Sequence, residues 1–257
     1  MSLALLSMAT TAIWAQGKSG QRTVQQRTQS RAQTPKADAD VIVFKQRAVE
    51  ELCLKYFDTN QDGKLSKQEA ADVLVIPSGM FTRNKDITFF DELRFFTSLK
   101  RISASAFSEC SNLQRLTLPE GIDALGERSF EDCTNLAVIN IPSSVRHIGS
   151  FAFFGCKNLS CPIVIPEGVR ELETLVFAQC EYLPSITLPS TLKRMDPHSV
   201  VGDEIHFKSS APPIITGDGS KKLSVNGDAV IYVPKGRISA YKQWDGLRGF
   251  EGTILEE

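Results

Sequence analysis

The 257-residue chain carries 29 Lys+Arg against 30 Asp+Glu, with 42% apolar and 23% charged residues. This composition supports one ordinary domain or two small ones with a real core, and near-zero net charge excludes a strongly basic nucleic-acid footprint. No apolar run reaches the roughly 18 residues that a membrane-spanning helix needs.

Leu3 to Ala15 (LALLSMATTAIWA) is an uncharged apolar run ending in a small residue before Gln16. It is too short to span a bilayer and reads as a secretory signal over residues 1–15. It departs from the usual pattern in two ways: no Lys or Arg precedes the run, and Ile13 stands three residues before the cut. Residues 16–37 follow as a polar tract with six Gln, three Arg and two Lys, and Val24 is its one sizeable aliphatic residue. Such a tract buries too little apolar surface to offset its ordering entropy, so it is expected to be a disordered linker. Both features predict an exported protein, extracellular or at the cell surface.

Residues 38–77 read as helix, loop and helix. Val41, Phe44, Ala48, Leu52 and Tyr56 recur at helical spacing, with Asp38 or Asp40 as N-cap. The predicted helix runs into Asp58-Thr-Asn60-Gln-Asp62-Gly63-Lys64-Leu65-Ser66-Lys-Gln-Glu69, which resembles the EF-hand calcium loop at every diagnostic position. That resemblance implies calcium held by side-chain oxygens of Asp58, Asn60 and Asp62, the Lys64 carbonyl, Ser66 through a water, and both oxygens of Glu69. Gly63 allows the sharp turn, and Leu65 is the apolar residue that packs the loop against a partner. Ser66 and Glu69 also form a capping box for a second helix through Ala70, Val73 and Leu74, ended by Pro77. EF-hands usually pair through their loops, and the chain holds no second loop of this pattern. The lone loop therefore points to a weak, structural site with affinity on the order of 0.1–1 mM.

From residue 78 to 208 the sequence repeats. Phe107, Phe130, Phe153 and Phe177 recur at intervals of 23, 23 and 24, as do Cys110, Cys133, Cys156 and Cys180, and Leu113, Leu136, Leu159 and Leu183. Pro119, Pro142, Pro166 and Pro189 recur too, and one extra residue falls near Cys161 and Pro162. Apolar residues locked to a period in the twenties mark a solenoid whose coils share a core. The alternation Leu116-Thr117-Leu118 or Ile139-Asn140-Ile141 predicts a short strand, which the following Pro ends. The unit F-x-x-C-x-x-L-x-x-I-x-(I/L)-P is similar to the BspA-type leucine-rich repeat of bacterial surface proteins. This resemblance implies a repeat fold, a leucine-rich repeat solenoid with short parallel strands on its concave face. A shorter unit ends near Phe207, and a truncated first one shows in Leu93, Phe96, Leu99 and Ile102. Residues 209–257, with Ile231, Val233, Tyr241 and Trp244, read as the segment that caps the last coil.

Four of the six Cys share one repeat position between Phe and Leu, which predicts buried free thiols rather than disulfides. Without a C-x-x-C pair no zinc site is indicated. His147, His198 and His206 fall in separate units without an acidic partner at ligand spacing, and no nucleophile turn is visible, so no enzyme is predicted. The outward columns of the strands are expected to be Arg115, Val138, Pro162 and Ser185 beside Thr117, Asn140, Val164, Thr187 and His206. Their face is small and polar, and Arg115 is the candidate anchor. Family resemblance implies adhesion, that is, binding of an unidentified protein or glycan on this face. The competing expectation is a calcium-stabilised structural or accessory module of a surface assembly with no ligand of its own.

Overall fold

The computed structural model describes residues 40–217, 221–225 and 227–257, so the signal and linker expected over residues 1–37 lie outside the described residues. The chain opens with helix α1 (Arg47–Phe57) and the short helix α2 (Lys67–Asp72). Short strands then follow in chain order: β1 (Val75–Ile76), β2 (Arg101–Ile102), β3 (Arg115–Leu116), β4 (Ala124–Leu125), β5 (Val138–Ile139), β6 (His147–Ile148) and β7 (Ile163–Val164). Next come β8 (Glu171–Leu172), β9 (Ser185–Leu188), β10 (Arg194–Met195), β11 (Glu204–Phe207), β12 (Ile214–Ile215) and β13 (Val230–Val233). Helix α3 (Ile238–Lys242) and β14 (Thr253–Glu256) close the chain.

All these strands pair in parallel, and each coil gives one strand to each of two ladders. One ladder contains β1-β2-β4-β6 and β8-β10-β12; the other contains β3-β5 and β7-β9-β11-β13-β14. The sequence alternation reveals only the second ladder. In the first, the strands β1 to β10 each bury a single residue (Ile76, Ile102, Leu125, Ile148, Leu172 and Met195), which leaves no apolar alternation to read. Both ladders are interrupted at the coil that holds the extra residue. There Pro162 has no N–H to give a neighbour, and the Cys161 thiol reaches the Ile139 carbonyl oxygen at 3.6 Å.

The core is a set of columns. The rings of Phe81, Phe107, Phe130, Phe153 and Phe177 stack nearly parallel, with successive centroids 4.7, 5.4, 5.2 and 5.1 Å apart. Beside them the thiols of Cys110, Cys133, Cys156 and Cys180 donate to the carbonyls of Phe81, Phe107, Phe130 and Phe153 at 3.0–3.3 Å. Each Phe lies between two residues of positive φ, such as Ser105 and Glu109 or Arg128 and Asp132. Those left-handed residues cost about 1 kcal/mol apiece in an L-residue chain. They orient alternate N–H groups along the stack: Ser105, Phe107 and Glu109 donate to Glu127, Ser129 and Glu131 of the next coil at 2.6–2.8 Å. The intervening Ala106, Ser108 and Cys110 close turns within their own coil. Gly126 sits where a Cβ would come within 2.5 Å of the Ala104 nitrogen, so coil contact there leaves no room for a side chain.

The N-terminal part differs from the sequence expectation at both helices. The first helix starts at Arg47, not near Val41, and Gln46 at its N-cap makes no side-chain cap. Residues 40–42 are extended because they pair with the loop: Ile42 N–H donates to Leu65 O at 2.8 Å, and Lys67 N–H to Asp40 O at 2.7 Å. The helix buries Val49, Cys53 and Phe57, leaving Tyr56 exposed. The second helix stops at Asp72 rather than running to Pro77. Lys100 and Arg101 donate to Leu74 O, and Val75–Ile76 joins the first ladder as β1. The solenoid ladder therefore begins at Val75. At the other end Tyr241 and Trp244 pack against Phe207, with centroids 5.0 and 5.7 Å away, and the Tyr241 hydroxyl donates to Ser209 O at 2.9 Å. Beyond them β13 and β14 extend the second ladder.

Candidate functional site

The residues singled out for calcium form one turn between α1 and α2. Asp58 Oδ2 accepts from Gly63 N–H at 2.9 Å, Asn60 Oδ1 from Asp62 N–H at 2.8 Å, and Asp62 Oδ1 from Lys64 N–H at 2.8 Å. Gly63 has φ +78°, the left-handed turn that its lack of a Cβ permits. Ser66 caps α2 by accepting from Glu69 N–H at 3.1 Å, and Glu69 Oε2 returns the bond by accepting Ser66 N–H at 3.0 Å. The other Glu69 oxygen reaches back across the loop to Thr59 N–H and Oγ1, both at 2.9 Å, and to Asn60 N–H at 3.3 Å. The Ser66 N–H bond, opposed by partial burial and helped by Thr59, lowers the Glu69 carboxyl to about 2.

One atom is left over. Asp58 Oδ1 is buried and has no hydrogen-bond partner. A buried carboxylate oxygen without a donor is costly, and a bound cation removes that cost. The donor set of carboxylates, amide and carbonyl is hard oxygen chemistry suited to calcium. Among the described residues no three His, Cys, Asp or Glu side chains are gathered as metal ligands. Here Glu69 is turned toward the N–H and O–H groups of Thr59, Asn60 and Ser66. The loop's outer edge is covered by residues 40–42 of the same chain, in the place where a second loop would pair.

The turn is wired to the first coil. Phe57 meets Phe96 edge-on at 5.6 Å. The Gln46 side chain accepts from Thr88 N–H at 2.8 Å and donates to Phe89 O. Lys45 Nζ lies 2.8 Å from Asp91, and the resulting hydrogen bond, opposed by partial burial and aided by Arg115, lowers the Asp91 carboxyl.

The ladder-face residues fall into distinct settings. Register places Arg115 beside Val138, and Val164, Thr187 and His206 in one row with Tyr232 and Leu255. Ser185 pairs with Glu204 in the neighbouring row. Val138 and Val164 are 52% and 59% exposed. Thr117 and Asn140 lie just past their strands, and Pro162 lies in the interruption. Two residues expected to be free for a partner are already engaged. The Arg115 guanidinium sits 4.2 Å over the Phe89 ring and 3.3 Å from Asp91. The Asn140 amide accepts from Leu118 N–H at 2.7 Å and donates to Leu118 O at 3.0 Å, replacing ladder bonds. The face also holds more aromatic and acidic character than the repeat unit implied, because β11, β13 and β14 continue it. His206 stacks on Tyr232 at 4.4 Å and meets Glu257 at 3.0 Å. Tyr232 follows the alternation Ile231-Tyr232-Val233, which was the available signal.

His147 stands in β6 with Glu173 3.6 Å from its ring, and His198 Nδ1 lies 2.5 Å from Ser224 Oγ. Asp196 accepts the His198 backbone N–H, not the ring, so the Ser–His pair lacks the acid that would orient it. Among the described residues no helix is long and apolar enough to cross a membrane.

Solved structures are similar to the chain to different degrees. The pneumococcal vaccine antigen PcpA is similar with a TM-score of 0.51 at 23% identity, over 63% of this chain and 40% of that one. A leucine-rich repeat protein of T. pallidum gives a TM-score of 0.41 at 21% identity, over 62% of this chain and 81% of that one. A leucine-rich repeat protein from Bacteroides ovatus gives 0.41 at 18% identity, over 84% and 58%. This chain thus spans 40% of the length of the pneumococcal structure. No curated protein shows significant similarity to the chain. Six copies of the BspA type leucine-rich repeat match residues 75–203, half of the 257 residues. The period, the Phe and Cys columns and this match agree: the chain belongs to the BspA-type leucine-rich repeat family.

Proposed function

We propose that the chain is an exported bacterial surface protein, a binding scaffold rather than an enzyme, with a calcium loop at the N-terminal end of its solenoid. Asp58, Asn60, Asp62, the Lys64 carbonyl, Ser66 and Glu69 would hold the ion. Calcium supplies a charge that neutralises the loop and fixes it against the first coil. The single observation carrying this reading is the buried, partnerless Asp58 Oδ1. The BspA-type repeat and the apolar run at Leu3–Ala15 support the surface location. The ladder face that carries Val138, Val164, Thr187 and His206 is the surface offered to a protein or glycan. Melting in millimolar calcium and in chelator tests the site. The melting temperature should rise with calcium, and Asp58→Ala with Glu69→Gln should remove the rise; a rise that survives both changes overturns the assignment.

A second reading, a structural module without a ligand, is favoured by the engagement of Arg115 and Asn140 with the coils that precede them. A pull-down from matrix and envelope extracts separates the two. A partner lost on Val164→Glu supports the scaffold, and no partner in calcium or chelator supports the module.

A further inference from the structure

A second surface lies beside the ladder face, on the turn between the Cys column and the second-ladder strands. There Gln114, Asn135, Ala137, Asn158, Ser160 and Tyr182 line a shallow groove of about 710 Å3. Three features mark its chemistry. None of the six is charged. Tyr182 stands where the preceding coils have Asn112, Asn135 and Asn158, and it is 64% exposed. The amides are only partly used: Asn158 Nδ2 donates to Asn135 Oδ1 at 3.1 Å. Among the described residues, Asn135 Nδ2, Asn158 Oδ1, the Gln114 amide and the Ser160 hydroxyl make no protein hydrogen bond.

We propose that this groove binds a neutral oligosaccharide, with Tyr182 as the stacking platform and the Asn135–Asn158 row as the hydroxyl-reading edge. A sugar ring has an apolar C–H face that fits the electron-rich face of an aromatic ring. It also carries a rim of hydroxyls that both donate and accept, which amides match because each amide does both. Coils are spaced about 4.8 Å apart, so successive amides meet hydroxyls at regular intervals along a chain of sugars. The absence of charge disfavours an anionic or cationic ligand, which would lose water without gaining a counter-charge. A protein partner would need a desolvated apolar centre, and beyond the Tyr182 ring the groove offers only Ala137. The backbone under the platform is tied to the preceding coil, since Tyr182 N–H donates to Lys157 O at 3.2 Å, and the adjoining Lys157 and Glu181 side chains neutralise each other at 3.2 Å. The inference builds on the scaffold reading and adds a ligand class and a surface distinct from the ladder face.

The test is titration of the full chain with cellohexaose, mannohexaose and N-acetylated chitohexaose, with hexagalacturonate as the anionic control, followed by calorimetry and saturation-transfer NMR. At least one neutral sugar should bind. Tyr182→Ala should weaken it about tenfold, the ~1.4 kcal/mol that one aromatic contact supplies. Tyr182→Phe should keep the affinity, and neither change should move the melting temperature of so exposed a residue. Val164→Glu should leave sugar binding intact, so a failed ladder face and a failed groove are told apart. The proposal is overturned if no neutral sugar binds, if hexagalacturonate binds as well, or if Tyr182→Ala is without effect.

Discussion

The ring of Phe57, the last residue of α1, meets Phe96 of the first coil edge-on at 5.6 Å. Phe96 in turn meets Phe90, 5.7 Å away, and Phe90 lies 5.8 Å from Phe81 at the head of the Phe stack. The loop between α1 and α2 is therefore joined to the core column through three successive aromatic contacts. Phe57→Ala should destabilise the protein by about 3–5 kcal/mol, the usual cost of removing a buried Phe. It should also shrink the calcium-dependent rise in melting temperature, because the loop would no longer be held against the coils. A full calcium response in this variant would show that the loop acts independently.

Asn140 is expected to matter for stability. Its amide serves both backbone groups of Leu118, so Asn140→Ala leaves a donor and an acceptor unpaired. Partial exposure lets water compensate, and the cost should be about 1–2 kcal/mol in denaturant unfolding. Asn140→Asp should be as damaging or worse, since it removes the donor to Leu118 O and sets a charge beside that oxygen. An unchanged midpoint would return Asn140 to the list of free surface residues.

Glu69 should give the N-terminal turn an acid-sensitive stability. Its carboxyl is lowered to about 2 by the Ser66 N–H, with Thr59 adding to the effect. The ordinary value is about 4.3, so the stabilisation is complete above that pH and is lost as pH falls toward 2. Between pH 4.5 and 2.5 in chelator, the melting temperature of the natural chain should fall further than that of Glu69→Gln. Equal falls would mean that the bonds to Ser66 and Thr59 contribute nothing in solution.

The thiols should sort into two groups. Burial pushes Cys110 and Cys180 up to about 12 and raises Cys53, Cys133 and Cys156 as well. Cys161 alone is partly exposed. A thiolate-specific reagent should label Cys161 in the native protein and all six thiols after unfolding. Rapid native labelling of Cys133 or Cys156 would contradict the closed column.

The repeat period was legible in the sequence because burial repeats. Phe107, Phe130, Phe153 and Phe177 occupy one site in successive coils, and stacking the coils requires the same residue type in each. The expectation of calcium came from a similar regularity: side chains bearing oxygen alternate from Asp58 to Asp62 along a tight turn. The first ladder was hidden because each of its strands buries one apolar residue, such as Ile102, Leu125 or Ile148, without a second two positions on, and their pairing comes from coil stacking, not from local alternation. The start of α1 differs from the expectation because Val41 fits a helical spacing with Phe44 and Ala48, while residues 41 and 42 are drawn into pairing with Leu65 and Ser66, which local pattern cannot see. Arg115 and Asn140 looked available because their partners, Asp91 with Phe89 and Leu118, come from the preceding coil. The sequence by itself thus determined the fold family, the core columns and the candidate ligand set of the loop, since each depends on residue type at a fixed interval. Only the tertiary structure decided which polar side chains are left for a ligand. Hydrogen bonds between coils take up some of them, and the turn around Tyr182 leaves others open to solvent.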